Sequence, residues 1–145
     1  MKNAMIYERK NIFYIRASSQ TTTGVWIDDG DCYAISTDSD LNEIGKYVRI
    51  ALNNSKSDVP HPTKWKDIND ALLSTAKVKS WSSFGKIAKC VTITIEKDIK
   101  IFSTVNKSNC NQGFVVDEST IILSQMDIGD MELGENIKKA WLSCV

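Results

Sequence analysis

Two segments far apart in the chain carry the same helical pattern, Ile44-Gly45-x-x-Val48-x-x-Ala51-Leu52 and Leu133-Gly134-x-x-Ile137-x-x-Ala140-Trp141. Apolar residues at these intervals line one face of an α-helix. In both copies glycine stands where alanine would favour the helix by about 1 kcal/mol. Two glycines at equivalent places imply that each lets a neighbouring backbone approach closely. Each copy also follows a strand-like run ending in serine, Ser36 or Ser124, and an Asp-rich turn. The pattern predicts two strand–turn–helix units packed as a pseudo-symmetric pair; the plainer alternative is chance similarity between two amphipathic helices.

The rest of the chain supplies strands and short helices around that pair. Residues Asn11 to Ala17 (NIFYIRA) and Gly24 to Asp28 (GVWID) are rich in β-branched and aromatic side chains, and Asp29-Gly30 reads as a hairpin turn into Asp31 to Ser36. Asp40 with Glu43 matches a capping box for the first helix. Asn53 to Thr63 holds both prolines, ends that helix and forms an exposed connection. Short helices are expected around Trp65, Ile68, Ala71 and Leu72, and from Ser80 through Trp81, Phe84, Ile87 and Ala88. Strands follow at Cys90 to Ile95, Ile99 to Val105, Phe114 to Val116 and Thr120 to Ser124, and a last helix starts from a cap at Asp130. The predicted class is α+β, a mostly antiparallel sheet packed by helices. One domain over residues 1–145 is expected, because a chain of 145 residues buries roughly 68–70% of its unfolded surface and needs no staples.

Chemistry is sparse. The four cysteines, Cys32, Cys90, Cys110 and Cys144, form no C-x-x-C pair, and His61 is the one histidine, so no metal site is expected. Cys32 and Cys90 lie in strand-like runs and read as small buried apolar residues. The first sixteen residues carry Glu8, Arg9, Lys10 and Arg16 and lack the apolar run of a signal peptide or span, which points to a cytoplasmic chain with reduced thiols and no membrane partner. Pro60 and Pro62 hold His61 in an extended exposed segment, away from any nucleophile that the sequence identifies. The seven glycines stand singly, so no phosphate-binding loop and no nucleotide cofactor is indicated. No catalytic, cofactor-binding or metal-ligating residue is assigned, and the chain reads as a non-enzyme.

What remains is charge. The net charge is zero, but residues 28–58 and 117–135 are acid-rich while 63–107 is lysine-rich. Asp29 suits a turn and Asp40 and Asp130 suit helix caps. Asp28, Asp31, Asp117, Glu118, Asp127 and Glu132 are left as candidate partner-binding residues, a surface for a basic partner. Lys64, Lys66, Lys77, Lys79, Lys86 and Lys89 flank Trp65, Trp81 and Phe84, which offers a different reading: a small nucleic-acid-binding protein using stacking and phosphate contacts. The helical spacing of these aromatics with Ile68 and Ile87 favours a core face edged by solvated lysines.

With these motifs assembled, the chain resembles the immunity proteins of bacterial contact-dependent growth inhibition systems, the CdiI type, over nearly its whole length. The resemblance rests on the Gly24 strand and its hairpin, the helix Asp40-Leu41-x-x-Ile44-Gly45-x-x-Val48-x-x-Ala51-Leu52 followed by Ser55, the segment Lys79-Ser80-Trp81-x-x-Phe84-x-Lys86, and the terminal Leu133-Gly134 helix. It implies a one-to-one binder, without cofactor or nucleic acid, that blocks the toxic C-terminal domain of a CdiA effector delivered by a neighbouring cell. Such toxins are frequently nucleases and often basic, so an inhibitor presenting carboxylates would compete with substrate phosphates. The resemblance supplies no contact map; the six acidic positions rest on charge and loop placement.

Overall fold

In a computed structural model, described for residues 1–108 and 113–145, the chain forms a seven-stranded antiparallel sheet with helices on both faces. Cys110 lies outside the described residues. The strands run β1 (Lys2–Arg9), β2 (Ile12–Gln20), β3 (Trp26–Ser36), β4 (Lys89–Ile95), β5 (Ile99–Lys107), β6 (Gly113–Val116) and β7 (Ile122–Ser124), in the spatial order β3-β2-β1-β4-β5-β6. Two strands share the outer side of β5: β7 pairs with its start, Ile99 opposite Ser124, and β6 with its end, Lys107 opposite Gly113. The α+β antiparallel architecture expected from the sequence is present.

The hairpin turn is displaced from its expected place. Lys10 and Asn11, at φ 51° and 64°, join β1 to β2 with Arg9 opposite Ile12, the two-residue turn in which both central residues are left-handed. Asp29-Gly30 instead lies inside β3. There the register passes from Ile15 opposite Tyr33 to Ala17 opposite Asp29, so Arg16 faces three residues of β3. Gly30, at φ 76°, absorbs the bulge. The same Asp-Gly pair serves a turn or a bulge, and ladder bonds to β2 on both flanks outweigh the local turn preference.

One face of the sheet offers Ala4, Ile6, Phe13, Ile15, Val91, Ile93, Ile99 and Ile101, all fully buried. The helices α1 (Leu41–Asn54) and α4 (Asp130–Leu142) cover them with Ile44, Val48, Ala51, Leu52, Leu133, Ile137 and Ala140, the faces that the spacing predicts. A Cβ on Gly45 would lie 1.9 Å from the Asp130 carbonyl oxygen, and one on Gly134 would lie 2.0 Å from the Leu41 carbonyl oxygen. Leu41 and Asp130 each precede their own helix's glycine by four residues, so the two contacts interchange when the helices do. The internal repeat is therefore a packing device: reciprocal glycines bring two helix backbones into contact.

The capping expectations fare differently. α1 begins after Asp40 as predicted, but the Asp40 side chain makes no capping hydrogen bond. Gly129, not Asp130, stands at the cap of α4. The Asp130 carboxylate instead accepts from Arg49 Nε at 2.6 Å, and the same guanidinium donates to the Ile128 carbonyl. At Asp130 the carboxylate therefore serves an ion pair that ties α4 to α1.

The opposite face holds a smaller core of Tyr7, Tyr14 and Cys90 from the sheet with Leu72, Phe84 and Ala88. It is covered by α2 (Asp70–Ala76), entered through a 3-10 turn at Trp65–Asn69, and by α3 (Trp81–Gly85). Tyr7 meets Phe84 edge-on at 5.9 Å and Trp81 at 5.7 Å, geometries that aromatic quadrupoles favour. Ser80 caps α3 by accepting from the Ser83 amide at 3.2 Å. Because α3 stops at Gly85, it cannot return Ile87 to the covered face, and Ile87 is exposed rather than in the core. Trp65 is exposed as well and packs its ring against His61, which in turn bonds Thr23 Oγ1 through Nδ1 at 2.8 Å.

Candidate functional site

The six acidic candidates do not share one surface. Asp28 and Asp31 lie on β3, one edge of the sheet, while Asp117 and Glu118 follow β6 at the other edge. Asp127 and Glu132 stand before and within the first turn of α4. Each pair has a different employment.

Asp28 points inward. Its Oδ2 accepts from the Tyr7 hydroxyl at 2.5 Å, and Arg16 lies close by, donating through Nη1 to the Ile68 carbonyl at 2.8 Å and through Nη2 to the Gly30 carbonyl at 3.0 Å. Burial pushes the Asp28 carboxyl above the usual carboxylate range, while the Tyr7 hydrogen bond and the Arg16 charge pull it part of the way back. Burial also raises the Tyr7 phenol well above its ordinary value, with the Asp28 charge adding to the effect. Cys32, beside this centre, is pushed up to about 11 by burial, which leaves it protonated and a poor nucleophile at neutral pH. The Tyr7–Asp28–Arg16 cluster thus ties β1, β2, β3 and the 3-10 turn together, and its half-buried carboxylate is engaged by Tyr7. Asp31, in the bulge, is exposed.

At the far edge, Asp117 Oδ1 accepts from the Ser119 amide at 3.1 Å and from Ser119 Oγ at 2.6 Å, closing the short 3-10 turn Glu118–Thr120. Glu118 is exposed beside it. Asp127 and Glu132 have a different setting: both are exposed, and both line a cavity of about 540 Å³ between β7 and α4 with Leu123, Ser124, Ile128 and Asn136. Leu123, which lines it, is exposed, as are Met126 and Met131 elsewhere in the segment from β7 to the first turn of α4. These apolar neighbours escaped the sequence reading. In the run Thr120-Ile121-Ile122-Leu123-Ser124, three consecutive apolar residues hide which side chain faces out; only Ile122 reaches the core.

The lysines Lys64, Lys66, Lys77, Lys79 and Lys86 are exposed, whereas Trp81 and Phe84 between them belong to the smaller core, as their spacing implied. Among the described residues, no three His, Cys, Asp or Glu side chains are grouped to hold a metal ion. No helix of the described residues is long and apolar enough to cross a membrane. Carboxylates and apolar side chains presented side by side suit the recognition of another protein.

Comparison with known proteins decides the family. The CDI immunity protein family, CdiI, matches residues 2–144. The chain belongs to the CdiI family. Two solved structures share the fold. A chain of the CdiA-CT/CdiI toxin and immunity complex from Yersinia pseudotuberculosis superposes with a TM-score of 0.80 at 15% identity, covering 99% of this chain and 97% of that one. A protein of unknown function from Neisseria meningitidis, NMB0488, gives a TM-score of 0.81 at 18% identity, covering 99% and 95%. No curated protein sequence matches the chain. At such low identity the likeness to these structures is one of fold.

Proposed function

We propose that this CdiI protein binds the C-terminal toxin domain of its cognate CdiA effector one-to-one and covers its active site, acting in the cytoplasm and catalysing no reaction itself. The family match over residues 2–144 carries this reading. The similarity to a chain of a toxin and immunity complex supports it. The toxin is read as a nuclease. Its phosphate-binding groove would be basic, and carboxylates such as Asp127 and Glu132, free of ion pairs among the described residues, would steer and hold it.

The test is co-expression of the cognate toxin domain with and without this chain in a susceptible strain. Restored growth is expected, together with co-elution of the purified partners at the mass of a one-to-one complex and loss of cleavage of a polynucleotide by the toxin. Separate elution, or cleavage of a polynucleotide by this chain alone, would overturn the reading. The exposed lysines and the exposed Trp65 favour one other function, single-stranded nucleic acid binding. Salt-sensitive retention on single-stranded RNA, abolished by changing Lys64, Lys66, Lys79 and Lys86, would support that function, and flow-through at low salt would exclude it.

A further inference from the structure

A second cavity, of about 880 Å³, opens beside α3 and is lined by Trp81, Ser82, Lys86 and Ile87, by Lys89 at the start of β4, and by Val145. No Asp or Glu of the described residues lines it, and neither lysine is in an ion pair among them. Glu8, opposite Lys89 on β1, accepts from the Asn11 amide at 3.1 Å instead. The carbonyls in the wall are taken from within: Asn106 Nδ2 donates to those of Gly85 and Ala88, both at 2.7 Å, and Ser108 Oγ to that of Gly85 at 3.2 Å. Trp81 turns its Nε1 edge toward the same wall, where a Cβ on Gly85 would meet that nitrogen at 4.0 Å. Ile87 and Val145, 54% and 77% exposed, add apolar surface at the opening.

We propose that this cavity receives an aspartate or glutamate side chain of the toxin domain, a proposal that rests on the toxin-binding function above. Two ammonium groups and an indole N–H are donors without acceptor capacity, and an ionised carboxylate is the side chain that only accepts. Hydrogen bonds between such charged groups are stronger than neutral ones. With the Gly85 and Ala88 carbonyls bound by Asn106 and Ser108, their negative ends are turned to those donors rather than to the incoming anion. Ile87 and Val145 would pack around the carboxylate and exclude water, the usual setting of an interface hot spot. The same lysines suit a phosphate, but the ring beside them does not suit a base. Trp81 already stacks on Phe84 at 5.7 Å and meets Tyr7 and Phe114 edge-to-face, whereas single strands bind largely by stacking on free aromatic faces. A protein carboxylate is therefore the better occupant.

The experiment measures binding of the purified cognate toxin domain to the wild-type chain and to Lys86→Gln/Lys89→Gln at low and high salt, with retention of both on single-stranded RNA. The expected result is a rise in Kd of about 30-fold or more at low salt, a shallower salt dependence, an unchanged thermal transition, and flow-through of both chains on RNA. Lys64→Gln/Lys66→Gln, which changes exposed lysines outside the cavity, is expected to stay within about two-fold of wild type. Should the double variant lose stability, Lys86→Gln alone gives the reading, because Lys86 lies between α3 and β4; a rise of about five-fold or more is expected. Replacing each Asp and Glu of the toxin domain by Ala in turn is expected to reveal one position that weakens binding to the wild type but not to the double variant. Wild-type binding with the double variant within about two-fold, or no such position in the toxin, would overturn the cavity assignment alone. So would retention on RNA that the double variant loses while toxin binding is unchanged, which would give the cavity to nucleic acid. Failure of the wild type to bind the toxin would overturn the proposed function, and this assignment with it.

Discussion

Beneath α1 and α4 the sheet is sealed almost wholly by aliphatic side chains, and the two helix backbones touch at Gly45 and Gly134. Beneath α2 and α3 the same sheet is covered by helices of seven and five residues, stacked aromatic rings, a buried phenol and guanidinium, and a half-buried carboxylate. Long amphipathic helices bury continuous apolar stripes, so one face draws its stability from area and close fit. Helices this short present only a few side chains each. The other face therefore relies on large rings and on hydrogen bonds that tie separate strands together. What differs is the tolerance of each face to change: where its helices meet, the first has no room for a methyl group, while the second has room beside Gly85 but carries polar groups that must stay matched.

The sharpest way to break this contrast is a single methyl group. In Gly45→Ala the new Cβ would overlap a backbone carbonyl that no rotamer can move, so the helix pair must separate. A loss of at least about 5 kcal/mol is expected, enough to unfold a chain of ordinary stability. Gly85→Ala on the other face meets Ser108 Oγ at 3.4 Å and the Trp81 ring at 4.0 Å, ordinary contacts, and should change stability by less than about 1 kcal/mol. Urea unfolding of both variants checks the pair; similar losses in the two would refute the idea that only the first face lacks room.

Next in size is Phe84→Ala. Phe84 is fully buried and touches Tyr7, Tyr14 and Trp81, so its removal leaves a cavity that short helices cannot collapse to fill. The expected cost is about 3–4 kcal/mol. If α2 and α3 were loose enough to repack, the loss would fall below about 2 kcal/mol, and the account of this face as a ring-built core would need revision. Smaller again is Ser80→Ala, which removes the cap of α3 and should cost about 1 kcal/mol. Hydrogen exchange at the Ser83 amide, faster in the variant with α1 unaffected, would localise that effect.

The first face was largely legible in the sequence because its elements are long. Several turns of consistent apolar spacing identify the buried sides of α1 and α4, and a glycine repeated in register signals their contact before any coordinates. β1 was not read at all: in Lys2–Arg9 the apolar alternation is short and framed by charged residues, and both faces of the strand turn out to be covered. The acidic candidates were the least legible. A bulge in β3 resets the alternation that would place Asp28, and the partners that draw it inward, Tyr7 and Arg16, come from two other strands. Asp127 and Glu132 look like ordinary helix-start acids until the cavity and the exposed Leu123 appear next to them. Periodicity reports on elements, whereas a site depends on which elements meet.

The buried polar centre supplies the finest discrimination between the faces, through pH. Burial raises the Asp28 carboxyl above its value in the unfolded chain, about 3.9, so the native state binds this proton more tightly. The stability from that difference is fully present below the unfolded value and is lost as pH rises through the raised native one. In Asp28→Asn the Tyr7 hydroxyl keeps an acceptor, while the titrating group is gone. Urea unfolding of wild type and variant between pH 4 and 7 should therefore show the wild type losing ground to the variant as pH increases. A gap that instead moves in favour of the wild type would mean that Arg16 attracts the carboxylate more than burial penalises it. The second face would then be held together by its charges as well as by its rings.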